Sequence, residues 1–301
     1  MTPPQTKLSA TVVLAALLAI VLWGASPVAT KLGVAGMPPL AVALLRTLIG
    51  GAGALVLALA MRLPLPAAGA QRRTLAVSSF SGFIGFPIMF SIGMGETTSN
   101  HASIILAMLP VLTGAFANLV ERRWPSGLWW IGCAIAVAGE MLLILWRTPA
   151  VAAVTGGPTL WGDAMVVAST LFGASGYVAG ARLKQLGYPS TATTFWGAAG
   201  GALVLSPSLV WLIGSLDLAA AAPMAWAGVL YLAIAVTVIG YVLWYWALGK
   251  GGIARVGLIQ FLQPISGLLL ASALLGEQLT LPLAIAAVLV LAGVFIAARA
   301  R

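Results

Sequence analysis

Ten apolar runs follow one another along the chain, and short polar connections separate them. A helix needs about 20 mostly apolar residues to cross a hydrocarbon core of about 30 Å. The runs lie at residues 8–30, 39–61, 73–94, 101–120, 126–146, 160–181, 190–213, 224–247, 252–274 and 280–298. None shows the alternation over about 10 residues that a membrane β-strand requires. The pattern predicts an all-α polytopic membrane protein with ten transmembrane helices.

The composition fits this class. Hydrophobic residues make up 61% of the 301 residues and charged residues only 7%, whereas a soluble domain carries about 25% charged residues. The single Cys133 and the single His101 exclude an intrachain disulfide and a cysteine- or histidine-based metal cluster. No cofactor is predicted. The N-terminal MTPPQTKLSA has no cleavage-site pattern and is expected to be a cytosolic tail rather than a signal peptide.

The cations predict the orientation. One side of the predicted bundle carries 12 of them and the other only Lys31 and Arg147. The positive-inside rule then places both termini in the cytoplasm, in a cytoplasmic (inner) membrane. The cations stand singly or in pairs over many loops, so they contact lipid headgroups and predict no nucleic-acid partner.

The two halves of the sequence resemble each other. "GASPVA" at residues 24–29 matches "GASGYVAG" at residues 173–180, and residues 95–117 align with residues 249–271 at an offset of 154. This offset pairs Pro110 with Pro264. Each half, residues 1–150 and 151–301, holds five runs, so the second copy enters the membrane from the opposite face. Inverted repeats are typical of secondary transporters, whose substrate binds near the midplane.

The segments "LWGASPVATK", Arg46 in the second run, and the paired "LP" and "QP…GEQLT" segments of runs 4 and 9 resemble the EamA-type drug/metabolite transporter superfamily. The resemblance implies ten spans and export of amino acids and other metabolites. Within this superfamily, the sequence most resembles the YddG-type aromatic amino-acid exporters. The family's second-copy glutamate matches Glu277, whereas Glu121 of the first copy lies two residues nearer its proline.

Run 9 carries two amides where lipid is expected. Gln260 and Gln263 are three residues apart and share one helix face. Pro264 has no N–H, so the carbonyl of Gln260 is expected to be free. Polar groups at this depth must face protein or water. The amides are therefore predicted to line a substrate cavity, and the alternative is that they form interhelical hydrogen bonds.

Two charged residues, Arg46 and Glu140, lie well inside predicted spans. Arg46 is seven residues from Pro39 and Glu140 is six residues from Trp146, or about 10 Å and about 9 Å below the same face. Buried charges in a membrane indicate function by default. Arg46 and Glu140 are predicted to form an ion pair, and the alternatives are substrate contact or a purely structural role.

Further candidates are aromatic and hydroxyl residues away from the membrane interfaces, because an apolar cavity with a few polar groups suits an amphipathic metabolite. His101, at the outer end of run 4, is a candidate gate or proton site. The cavity-lining candidates, with the two glutamines, are Trp23, Ser26, Ser79, Phe83, Tyr177, Tyr241 and Trp244.

These features favour a transporter that works by alternating access as a monomer or homodimer. No phosphate-binding loop of the G-x-x-x-x-G-K-[ST] type occurs, so no ATPase activity or ATPase subunit is expected. The alternatives are an intramembrane enzyme and a channel. An enzyme would need a nucleophile with a base, and a channel would need rings of charge or filter carbonyls. The sequence shows neither pattern. Because Arg46 is the one central cation, the substrate is expected to be small and neutral or zwitterionic rather than phosphorylated.

Overall fold

The computed structural model describes residues 9–122, 124–145, 158–251 and 256–299, and all regular structure in these ranges is helical. The first half contains α1 Ala10–Gly24, α2 Ser26–Gly36, α3 Pro39–Ala60, α4 Gly69–Ser79, the π-helical segment π1 Phe80–Gly85, α5 Phe86–Glu96, α6 Ser99–Ala107, α7 Leu109–Glu121 and α8 Gly127–Leu145. The second half contains α9 Leu160–Gln185, α10 Ser190–Leu205, α11 Ser208–Ser215, α12 Pro223–Leu230, the π-helical segment π2 Tyr231–Gly240, α13 Tyr241–Gly251, a 3₁₀ turn Gly257–Leu262, α14 Gln263–Leu275 and α15 Leu281–Arg299.

Within these ranges, 6 helical stretches are long and apolar enough to cross a membrane, and the pair α10 and α11, bent by 58°, would make 7. Shorter apolar helices cover Gly127–Gly139, Gln263–Leu275 and Leu281–Ala297. The protein is therefore a multi-pass membrane protein. The count of ten spans stays a prediction. The first stretch ends at Gly36, beyond the predicted end at residue 30. The predicted repeat boundary near residue 150 and both chain ends lie outside the described residues.

Prolines break three of the spans. Pro27 follows the break between α1 and α2, Pro110 follows the break between α6 and α7, and Pro264 follows the 3₁₀ turn. Each break has the same cause, because proline lacks the N–H that a continuing α-helix uses. Span α9 instead has Gly176 where the aligned α2 has Pro27, and it runs unbroken for 26 residues.

The π-helical segments also follow the repeat. At the offset of 154, π1 falls on the middle of π2. A π-helical turn leaves backbone groups without their usual partners, and such turns are frequent at functional sites. The two segments therefore mark corresponding places in the two halves.

The packing has a central bundle and a peripheral pair. The largest apolar cluster joins α1, α3, π2 and α13, and a second cluster joins α8 to α15. The α8–α15 pair packs through glycines, since a Cβ added at Gly132 would lie 2.5 Å from the Ala297 nitrogen and one at Gly293 would lie 2.4 Å from the Ala136 nitrogen. Only glycine permits this backbone approach.

The bundle has two chemically different ends, which α9 connects over about 39 Å. At one end the α3–α4 and α9–α10 connections meet, as Gln71 donates to the Leu186 carbonyl at 3.0 Å and Tyr188 to the Pro64 carbonyl at 2.7 Å. This "basic end" carries Arg62, Arg72, Arg73, Arg182 and Lys184. The opposite "acidic end" holds the carboxylates of Glu96, Asp163 and Glu277.

Candidate functional site

A cavity of about 430 Å³ lies inside the central bundle, and both halves of the chain line it. Its wall extends to Lys184 and Ser190 at the basic end. Towards the acidic end it reaches Ser103, but Lys31, His101 and Asp163 are not among its lining residues. The volume lies within the range of about 300–1,000 Å³ found for small-molecule sites. The cavity is therefore large enough for a small ligand. It reaches the basic end of the bundle and stops before the acidic end.

The two π-helical segments form facing parts of the wall. Gly82 and Phe83 come from π1, and Val236 and Thr237 come from π2. Thr237 donates its hydroxyl to the Leu232 carbonyl, five residues earlier, at 2.9 Å. The hydroxyl therefore bonds to the backbone of its own π-helical segment.

Helix α3 lies between the two π-helical segments. The Thr47 hydroxyl donates to the Phe83 carbonyl of π1 at 3.1 Å. One turn from Arg46, a Cβ added at Gly50 would lie 3.1 Å from the Ala233 carbonyl oxygen and the Thr237 methyl of π2. These contacts bring Arg46 to the level of the cavity where both halves contribute to the wall.

Four aromatic residues, Trp23, Phe83, Tyr241 and Tyr245, form what we call the aromatic wall. The Tyr241 ring lies 5.1 Å from Trp23, 6.4 Å from Phe83 and 6.2 Å from Tyr245, between ring centroids. The indole N–H of Trp23 donates to the Val236 carbonyl at 3.1 Å, and the Tyr245 hydroxyl pairs with Thr194 at 2.7 Å. Because the polar tips of Trp23 and Tyr245 are bonded, these two rings offer fixed surfaces to a ligand.

Gln260 and Gln263 both line the cavity. Neither side-chain amide forms a hydrogen bond within the described part of the chain, so the interhelical alternative is not seen there. The prediction that the Gln260 carbonyl is free is wrong, because the Gln263 N–H donates to this carbonyl in the 3₁₀ turn. The Gln263 carbonyl in turn accepts from the Ser266 hydroxyl at 2.8 Å. The side-chain amides, and not the backbone, are the groups left for a ligand.

Arg46 lies on the cavity wall and is 7% exposed. Its Nη1 atom is buried and has no hydrogen-bond partner. The predicted pair with Glu140 stays a prediction, because the side chain of Glu140 lies outside the described residues. Helix α3 packs against α5, α10 and π2, whereas α8 packs mainly against α15.

The acidic end is closed by a bonded group of side chains, which we call the acidic-end cluster: Lys31, Thr97, His101, Asp163 and Glu277. Asp163 is fully buried, accepts from the Thr97 hydroxyl, and lies 3.1 Å from Nδ1 of His101. Lys31 donates to the carbonyls of Thr97 at 2.7 Å and Met94 at 3.1 Å. The cluster joins α2, α5, α6 and the first turn of α9, which connects the first half to the second.

Glu277 completes this end by capping α6. Its two carboxylate oxygens accept from the backbone N–H groups of Ser99 at 2.7 Å and Asn100 at 2.8 Å. The first N–H groups of a helix have no partner inside the helix, and a carboxylate there is also favoured by the helix dipole. A residue of the second repeat thus caps a helix of the first.

Most of the predicted cavity residues lie on the wall, and two do not. The predicted residues on the wall are Trp23, Ser26, Arg46, Phe83, Tyr177, Tyr241, Gln260 and Gln263. Ser79 instead donates to the Gly197 carbonyl at 2.6 Å between helices, and its neighbour Ser78 is on the wall. Trp244 is buried behind Trp23, with ring centroids 5.4 Å apart. His101 is in the acidic-end cluster.

The sequence reasoning missed Asp163, Lys31 and Thr193. Asp163 lies in the first turn of α9, four residues after the N-cap Thr159, and its position inside predicted run 6 was the available signal. Lys31 was assigned to a loop because the first run was ended too early. Thr193, on the wall near the basic end, had no signal beyond a hydroxyl in an apolar helix.

Comparisons with known proteins agree with this architecture. The model of the EamA-like transporter family matches twice, over residues 10–145 and 160–299. A Bacillus subtilis protein named "Uncharacterized transporter YdeK" is 32% identical over 273 residues, which cover 86% of this chain and 87% of that protein. A Salmonella typhimurium protein named "Probable amino-acid metabolite efflux pump" is 29% identical over 300 residues, which cover 93% and 92%.

A protein of known crystal structure shares the fold, with a TM-score of 0.63 and 20% identity over 96% of this chain and 97% of that one. The two matches of the family model correspond to the two halves that the repeated prolines and π-helical segments indicate. The chain therefore belongs to the EamA-like transporter family of the drug/metabolite transporter superfamily.

Proposed function

We propose that this transporter exports small amphipathic metabolites, foremost aromatic or neutral amino acids, from the cytoplasm by alternating access. The observation that carries the proposal is the central cavity, which reaches the basic end and stops short of the bonded acidic-end cluster. The aromatic wall and the free amides of Gln260 and Gln263 suit an apolar side chain with a polar head. The Salmonella relative's name, an amino-acid metabolite efflux pump, supports the same substrate class.

In this proposal the chain crosses the cytoplasmic membrane ten times, as two inverted five-helix repeats with both termini inside. The basic end then faces the cytoplasm, because cytoplasmic loops carry an excess of Lys and Arg. The cavity is in an inward-facing state, and substrate enters past Lys184 and Ser190. Release to the outside requires the acidic-end cluster to separate while the helices close around Lys184. The functional unit is a monomer or a homodimer.

Transport is tested with the purified protein in liposomes, using a panel of labelled amino acids with and without a pH gradient. We expect saturable flux of aromatic or neutral amino acids, and the gradient arm shows whether protons are coupled. Liposomes that carry the Lys184→Glu variant serve as a comparison, since reversing the charge at the mouth should alter entry. The absence of flux for every amino acid would contradict the proposal.

Orientation and access are tested with single cysteines in a Cys133→Ser background. Ser190→Cys places a thiol on the cavity wall at the basic end, and Gln278→Cys places one in the exposed loop after α14 at the acidic end. We expect a membrane-impermeant maleimide to label Ser190→Cys from the cytoplasmic side and Gln278→Cys from the outside. Labelling of both from one side would contradict the proposed topology.

A further inference from the structure

The guanidinium of Arg46 forms no hydrogen bond or ion pair with any residue that the structure describes, and its surroundings are mostly apolar. It is 7% exposed, its Nη1 is buried without a hydrogen bond, and no described carboxylate pairs with it. An unpaired buried charge destabilises the protein, even after the protein and nearby water relax. A carboxylate would relieve this, since Arg binds carboxylates through two parallel N–H···O bonds. Within the described part of the chain, Arg46 therefore has the properties of a group that binds a ligand.

The charged side chains described on the cavity wall all have the same sign. Among the described lining residues, the charged side chains are Arg46 and Lys184, and none is an aspartate or a glutamate. An anionic group is favoured throughout such a chamber, because the interaction between charges is stronger in the protein interior than in water. A ligand ammonium instead meets only neutral acceptors, such as the amides of Gln260 and Gln263 and several hydroxyls.

The body of the ligand has a place next to this cation. Tyr241, at the centre of the aromatic wall, lies close enough to interact electrostatically with Arg46. Thr47, the next residue after Arg46, is bonded to Phe83 of the same wall. A carboxylate on Arg46 therefore leaves a ring or a bulky apolar chain against Tyr241, Phe83 and Trp23.

We propose that Arg46 binds the carboxylate of the transported molecule and that the site does not require an α-ammonium group. The substrate class is then aromatic and bulky apolar monocarboxylates, of which amino acids are one subset. This proposal rests on the proposed export function and narrows it. An arylpropionate or aryl-lactate has the carboxylate and the ring that the wall recognises. It also avoids burying an ammonium in a cavity whose described charged lining residues, Arg46 and Lys184, are both cations.

The unmodified protein provides the first test. L-phenylalanine, 3-phenylpropionate, 2-phenylethylamine and L-phenylalaninamide share a ring and differ only in the head group. We expect the two carboxylates to show saturable counterflow in liposomes and to raise the melting temperature of the purified protein. The two amines without a carboxylate should bind about 10- to 100-fold more weakly, the range that loss of a charged hydrogen-bonded contact gives.

Each other outcome overturns the inference in a recognisable way. Transport of phenylalanine but not of 3-phenylpropionate means that the ammonium is required, while the export function stands. Transport of the amines in preference to the acids excludes Arg46 as the head-group site. If no compound of any head group is transported, the proposed function fails together with the inference.

Variants then test the residue itself. Arg46→Gln should lose about 10- to 100-fold in affinity for both carboxylates and leave the weak binding of the amines unchanged. Arg46→Lys keeps the charge but not the bidentate geometry. Its affinity for the carboxylates should therefore lie between that of the wild type and that of Arg46→Gln. Arg182→Gln is the matched control, because it removes an exposed arginine that does not line the cavity. An unchanged preference for acids over amines in Arg46→Gln overturns the assignment. If Arg46→Gln does not fold, the compound series decides.

Discussion

Asp163 and Arg46 are both buried charged groups in an apolar helical bundle, yet their surroundings are opposite. Asp163 accepts from Thr97 and lies 3.1 Å from His101, and the neighbouring Lys31 and Glu277 are also bonded. Arg46 forms no described ion pair, and its Nη1 has no hydrogen-bond partner. The acidic-end cluster thus satisfies its charges with protein groups, whereas no protein group in the described ranges satisfies the charge of Arg46.

In our proposal, this difference separates charges that stabilise the fold from a charge that binds the substrate. A satisfied buried group stabilises the conformation in which its partners meet, so the acidic-end cluster stabilises closure of that end. An unsatisfied buried group makes the ligand-free state less stable and favours a ligand that completes it. The same comparison predicts that substitutions at the two places will change stability in opposite directions. Four predictions follow in order of decreasing effect on stability.

Removing the carboxylate of Asp163 should give the largest effect. Asp163→Ala removes the acceptor of the Thr97 hydroxyl and the carboxylate that lies 3.1 Å from Nδ1 of His101. Two buried hydrogen bonds are lost together, and each costs about 1–3 kcal/mol. Asp163→Asn keeps one acceptor oxygen and should cost less. Thermal denaturation in detergent measures both, with Asp217→Ala as the exposed control. A melting temperature for Asp163→Ala equal to that of the control would show that the acidic-end cluster does not stabilise this state.

Weakening the cap on α6 should have a smaller effect. Glu277→Gln leaves only one acceptor oxygen, without charge, for the N–H groups of Ser99 and Asn100. We expect the free energy of unfolding to fall by about 1–3 kcal/mol. Glu96→Gln is the matched control, because its carboxylate accepts from Thr159 at an exposed place, at 3.1 Å. Hydrogen exchange at the start of α6 reports the change locally. Equal exchange in both variants would contradict the capping role.

Neutralising Arg46 should not destabilise the ligand-free protein. Because the guanidinium has no described partner, Arg46→Gln removes a buried charge that no described residue compensates. We expect an unchanged or higher melting temperature, with a gain of up to about 2 kcal/mol in the free energy of unfolding. The stabilisation that a carboxylate ligand confers on the wild type should disappear. The comparison uses Arg182→Gln under the same conditions. A loss of stability as large as that of Asp163→Ala would show that Arg46 has a protein partner, such as Glu140.

Replacing the two glutamines should have the smallest effect on stability and a visible effect on transport. Neither amide is hydrogen-bonded within the described residues, so Gln260→Leu with Gln263→Leu should change the free energy of unfolding by less than about 1 kcal/mol. We expect a higher KM for export, because both amides line the cavity and have no hydrogen-bond partner within the described residues. Gln278→Leu, in an exposed loop, is the control. Normal transport by the double variant would make the amides dispensable.

The hydrophobic pattern determined a large part of this protein. The apolar runs predict a helical membrane protein, and the described helices follow them in order. The sequence alignment pairs Pro110 with Pro264, and both residues follow breaks in their helices because the effect of a proline on a helix is local. Gln260 and Gln263 were recognisable because an amide in lipid must find a polar surrounding, whichever helix provides it.

Only the tertiary structure decided which face of each helix meets the cavity. In these spans every face is apolar, so the periodicity that identifies the buried side of a soluble helix is absent. Ser78 and Ser79 are equivalent in the sequence, yet one lines the cavity and the other bonds to α10. The acidic-end cluster was likewise undetermined, because His101 and Asp163 are 62 residues apart and meet only when the repeats pack. The sequence shows that a charge is buried, and the packing decides whether a partner reaches it.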